Sequence, residues 1–132
     1  MTAGLARSMK NGSGMEDVAK LIGTLFMSRT YAHMCHLKTG SFAHHKALNS
    51  FYEDIVDLTD DLAEASQGYF GKLDVPYINL IGNVNDPIKG MQAHLKVIEK
   101  LAMSCEEEYL KNIFQEIQAL YRKTLYLLTE LV

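Results

Sequence analysis

The spacing of apolar residues constrains this chain more than any other feature. Leu48, Phe51, Ile55, Leu58 and Leu62 recur three and four residues apart. At 3.6 residues per turn that rhythm puts them on one stripe of a helix. The same spacing links Val18, Leu21, Ile22, Leu25 and Ala32, and it returns from Leu110 through Ile117 and Tyr121 to Leu131. No alternating strand pattern competes with it. The expected fold class is all-α.

Helix-breaking residues then divide the chain. Ser13 and Glu16 form an S-x-x-E capping box that opens a first helix. Thr39-Gly40-Ser41 ends it, and Ser41 is the expected N-cap of a second, running from Phe42 to about Gln67 with Gly68 closing it. Asp86-Pro87 places a cap before a proline at the first position of a third helix, which extends to about Met103. Ser104 and Glu107 read as a second capping box, opening the fourth. Links of a few residues make helices one and two antiparallel, and likewise three and four. The link from Gly68 to Asn85 can reach roughly 60 Å, more than the ~39 Å length of helix two, so it leaves helices two and three parallel. Four helices with one long middle crossover is the ferritin-like bundle arrangement. Residues 1–13 are expected to be a flexible N-terminal segment and 14–132 the helical domain.

A length of 132 residues suits one domain, and 48% hydrophobic with 22% charged residues is a globular balance. No apolar run approaches a membrane span, and the start lacks the apolar core of a secretory signal, so the expected location is the cytoplasm. Cys35 and Cys105 have no C-x-x-C partner and read as free thiols. The net charge is −3, with no run of Lys and Arg, so nucleic acid is not an expected partner.

Four of the five histidines fall between His33 and His45, and the second helix carries Glu53, Asp54, Asp57, Asp60, Asp61 and Glu64. Imidazole nitrogen with carboxylate oxygen is a ligand set for iron, manganese or zinc. Neither H-E-x-x-H nor the E-x-x-H pairs of bundle-core di-iron sites is present. On a helical projection His45, Asn49, Tyr52, Val56 and Ala63 share an edge of helix two, while Asp60 and Glu64 point largely away from the intramolecular core. A metal held there needs a second surface, and a second subunit is the natural supplier. His44 falls on the apolar seam and reads as a hydrogen-bonded core or interface histidine. His33 and His94 read as ordinary helix residues, and Asp54, Asp57 and Asp61 as a solvated face.

The segment His36-Leu37-Lys38-Thr39-Gly40-Ser41-Phe42, followed by His45, Asp60 and Glu64, resembles the Dps proteins, the mini-ferritins of bacteria. In that family a histidine ending the first helix is followed by one opening the second, then by an aspartate after fifteen residues and a glutamate after nineteen. The stretch from His45 to Gly68 is similar in texture to short Dps-like proteins of tailed bacteriophages. The resemblance implies a ferritin-like fold, self-assembly into a two-fold dimer or cage, and ferrous ion as substrate, oxidised and stored as ferric mineral. It implies His36 and His45 as metal ligands from one subunit, with Asp60 and Glu64 from its partner. Asn49 stands where the family has an aspartate, Leu37 stands where it has Trp, and the loop between the two histidines is shorter. Glu53, one turn beyond Asn49, is the expected substitute carboxylate, with the Asn49 amide as a further donor. Another divalent metal fits the same ligands. The competing reading is a non-catalytic structural or interaction subunit whose metal site has degenerated.

Overall fold

A computed structural model describes residues 12–79 and 82–131. They form four helices: α1 (Gly12–Lys38), α2 (Phe42–Phe70), α3 (Pro87–Ala102) and α4 (Glu108–Glu130). No strand occurs among the described residues. α1 packs against α2 and α3, and α4 packs against the same two, so the helices close a ring around one core.

Contacts between helices fix their directions. His36 near the end of α1 stacks on His45 near the start of α2. The Ser104 hydroxyl, just past α3, donates to Asp17 in the first turns of α1 at 2.8 Å. His44 of α2 meets the Leu128 carbonyl near the end of α4. Arg122 of α4 pairs with Glu99 of α3, and Thr129 and Glu130 share a groove with Gln92. All four adjacent pairs are therefore antiparallel, and α2 and α3 run parallel on one diagonal. The link after α2 carries the chain back along α1. There the Pro76 carbonyl lies so close to Gly23 that a Cβ would collide with it. Farther along, the Tyr31 hydroxyl of α1 donates to the carbonyls of Asn83 and Asp86, at 2.8 and 3.0 Å.

The predicted seam is the core, with Leu58 only partly buried at its edge. Leu48, Phe51, Ile55 and Leu62 are fully buried, as are Leu21, Ile22, Leu25, Ile117 and Tyr121. Local chemistry sets several boundaries as expected. Ser41 caps α2 by accepting from the His44 amide, and Asp86 caps α3 by accepting from Lys89 N–H ahead of Pro87 at the first position.

Three boundaries differ from the sequence reading. α2 passes through Gly68 and ends at Phe70, with Gly71 as its cap at φ 92°. Burial of Tyr69 and Phe70 rewards another turn of helix, and Gly71 then adopts the positive φ that closes it. α3 ends at Ala102. The predicted Ser104–Glu107 capping box does not form: α4 starts at Glu108 behind Glu107, with no side-chain cap, and the Ser104 hydroxyl is spent on Asp17. At the other end α1 is helical from Gly12, so Ser13 lies inside the helix and not at the N-cap expected of it. The flexible segment expected at residues 1–13 lies, for residues 1–11, outside the described residues.

Candidate functional site

The α1–α2 turn is only three residues long, 39–41, so the last turn of one helix lies against the first turn of the next. That brings His36 and His45 into a stacked pair with ring centres 3.7 Å apart and planes inclined by 22°. Their hydrogen bonds are reciprocal. His36 Nδ1 lies 2.7 Å from the His45 carbonyl, and His45 Nδ1 lies 3.0 Å from the His36 carbonyl. A carbonyl oxygen only accepts, so each Nδ1 carries its proton and donates. In the neutral ring Nε2 is then left with an unused lone pair, the atom a metal would take. Among the described residues no hydrogen bond engages Nε2 of either ring. His36 is buried at 8% exposure, while His45 is exposed.

Two further side chains complete the corner. His33 stacks flat on Tyr52, with centres 4.0 Å apart and planes at 10°, and Tyr52 meets His36 edge-on at 5.2 Å. The Tyr52 hydroxyl donates to Asn49 Oδ1 at 2.6 Å, so the amide standing where a carboxylate was expected is already engaged. The sequence reading missed His33 as a member of this group. The signal was its position three residues before His36, on the same stripe of α1.

The carboxylates lie elsewhere. Asp60 and Glu64 are exposed on α2, about 22 and 28 Å along the helix from His45. Glu53 is exposed about 12 Å from His45, too far to replace Asn49 beside that ring. One chain thus brings His36 and His45 together but does not add Asp60, Glu64 or Glu53 to them. Among the described residues no group of three or more His, Cys, Asp or Glu side chains is arranged to hold a metal.

The other histidines have structural roles. His44 Nε2 donates to the Leu128 carbonyl at 2.8 Å, satisfying one of the unpaired carbonyls at the end of α4. His94, at 2% exposure, lies at the centre of a buried relay. The Tyr121 hydroxyl donates to Ser28 Oγ at 2.6 Å, and Ser28 Oγ lies 2.9 Å from His94 Nδ1. Burial holds the His94 pKa down to about 4, so the ring is neutral, and with the Ser28 oxygen accepting from Tyr121 the Ser28 hydroxyl proton donates to Nδ1. The Tyr31 ring packs edge-on against His94 at 4.8 Å. Cys35 and Cys105 are both free and buried, and burial pushes the Cys105 thiol up to about 11.

Comparison with known proteins places the chain. Residues 36–128 match the model of a family of unknown function (DUF5856), and the chain belongs to that family. The matched span contains His36, His45 and the whole of α2, and begins after His33. The chain is also 25% identical over 114 residues to the uncharacterised 14.6 kDa protein of the mobD–ri intergenic region of Enterobacteria phage T4, an alignment covering 82% of this chain and 84% of that protein. The phage relationship expected from the α2 sequence is therefore met. No solved structure matches. No helix among the described residues is long and apolar enough to cross a membrane.

Proposed function

We propose that the chain is a Dps-like mini-ferritin subunit with a ferritin-like bundle. It binds ferrous ion as substrate for oxidation by peroxide or oxygen, at a site completed between two copies. The observation that carries this reading is the reciprocal His36–His45 pair. Each Nδ1 is tied to the other residue's backbone, which orients the rings before a metal arrives and presents Nε2. Two further features support it. No carboxylate is among the buried residues described, so hard oxygen ligands come only from an outer surface. Asp60 and Glu64 are on the same outer side of α2, with no ion pair among the described residues. A two-fold axis beside residues 52–55 would bring the partner's Asp60 and Glu64 to His36 and His45, because α2 would then cross its copy antiparallel.

One observation favours the assembly-only reading. The Tyr52–Asn49 hydrogen bond fills the position beside His45 where the mini-ferritins have an aspartate. Anaerobic ferrous titration separates the two. The metal-binding reading expects saturable binding that Asp60→Ala with Glu64→Ala abolishes, while helicity is retained. A wild-type chain that binds no iron, manganese or zinc, and gains no binding from Asn49→Asp, leaves the structural subunit as the function.

A further inference from the structure

Among the described residues, Arg29 of α1 is a half-buried cation with no ion-pair partner. Arg29 lies one turn before His33 and two before His36, on the same stripe of α1. It is half-buried, and its Nε is shielded from solvent with no hydrogen-bond partner. Among the described residues no carboxylate lies within ion-pairing distance of its guanidinium. A shielded guanidinium donor without an acceptor is a costly arrangement in an isolated chain. The neighbouring part of α2 carries two exposed carboxylates, Glu53 and Asp57, one turn apart and likewise unpaired.

The outer face of α1 and α2 is therefore divided by charge. On α2 the half beside the α1–α2 turn carries Lys46 and the other half carries Glu53, Asp57, Asp60 and Glu64, with Arg29 of α1 level with Tyr52 at their boundary. A face split in this way is complementary to a second copy of itself turned through two-fold symmetry. The register follows from the shared metal site proposed above, on which this inference rests. If His36 of one chain is level with Asp60 and Glu64 of the other, α1 runs parallel to the partner's α2 with an offset of about 24 to 28 residues. Arg29, seven residues before His36, is then level with positions 53–57 of the partner.

We infer that Arg29 is the pairing residue of this self-association, its guanidinium bridging Glu53 and Asp57 of a second copy. Glu53 is then an interface residue rather than a metal ligand. The pair is formed twice per dimer, once on each side of the axis, and it fixes the register that lets the histidines of one chain meet the carboxylates of the other.

The test is a charge swap read by sedimentation equilibrium of the full chain without metal. Arg29→Glu alone, and Glu53→Arg with Asp57→Arg alone, should each weaken association by about tenfold or more. Combining all three substitutions should restore it to within a few-fold of wild type, with circular dichroism confirming the helices throughout. Association unchanged by Arg29→Glu, or no recovery in the folded triple variant, overturns the inference. Ferrous titration of the same wild-type sample keeps the two proposals apart. A dimer that obeys the swap but binds no metal retains this pairing and refutes the iron site. A metal-binding dimer indifferent to the swap does the reverse.

Discussion

Two clusters in this molecule use the same kinds of side chain to different ends. Ser28, Tyr31, His94 and Tyr121 lie between α1, α3 and α4, while His33, His36, His45 and Tyr52 lie between α1 and α2. In the first, the imidazole accepts a hydrogen bond, and its environment keeps it neutral. In the second, both imidazoles donate through Nδ1 to backbone carbonyls and turn their remaining nitrogens away from any protein partner. A buried polar relay whose members are satisfied contributes to a unique packing. A pair with one ring exposed and neither Nε2 engaged by the protein is available for a ligand. Which nitrogen the backbone occupies, and whether a ring faces the core or the outer surface, separates the two roles.

Breaking the buried cluster should have the largest effect. Tyr121 is fully buried and packs edge-on against Phe51 at 4.8 Å. Tyr121→Ala should cost about 3 to 5 kcal/mol of stability in urea denaturation, through lost burial and the cavity left behind. The comparable truncation in the corner, His45→Ala, should cost about 1 kcal/mol or less because the ring is exposed. Equal losses would erase the distinction.

Acid should act on the same cluster next. His94 has a folded pKa of about 4 against an ordinary value near 6.5, so the unfolded chain binds the proton more readily. Its contribution to stability is complete above about pH 6.5 and is lost as pH falls toward 4. The loss amounts to up to about 3 kcal/mol from this group. His94→Gln keeps an acceptor for Ser28 but cannot titrate. Denaturation midpoints followed from pH 7 to 4 should therefore fall less steeply in that variant, and parallel curves would remove His94 as the cause.

The smallest effect sharpens the corner. Tyr52→Phe removes the hydroxyl held by Asn49 and should change stability by less than about 1 kcal/mol, since both residues are half-exposed. Adding Asn49→Asp to that variant should tighten ferrous binding in calorimetry, because a carboxylate no longer held by Tyr52 is released beside His45. Unchanged or weaker binding would mean that position 49 does not face the metal.

Much of the fold was legible because its signals are local. Ser41 and Asp86-Pro87 cap their helices through atoms within a few residues, and the α2 seam is buried as its spacing requires. The misreadings have tertiary causes. Gly68 and Gly71 are both helix stops in sequence, and only the burial of Tyr69 and Phe70 selects Gly71. Ser104 is drawn from its expected cap by Asp17, 87 residues away. The site was legible by half. The family resemblance singled out His36 and His45, and the helical projection directed Asp60 and Glu64 outward, but the stack of His33 on Tyr52 depends on how two helices pack. The relay through His94 joins three helices and left no local pattern.

The central claim is that one chain supplies the histidines and another the carboxylates, and a mixing experiment tests it directly. His36→Ala with His45→Ala in one preparation, and Asp60→Ala with Glu64→Ala in another, should each bind no ferrous ion. Unfolded and refolded together in equal amounts, they form mixed dimers in which one of the two shared sites regains all four ligands. Ferrous capacity should return to about a quarter of wild type, because half of the dimers are mixed and each has one intact site. A wild-type chain that binds iron, paired with a refolded mixture that binds none, would contradict the shared site.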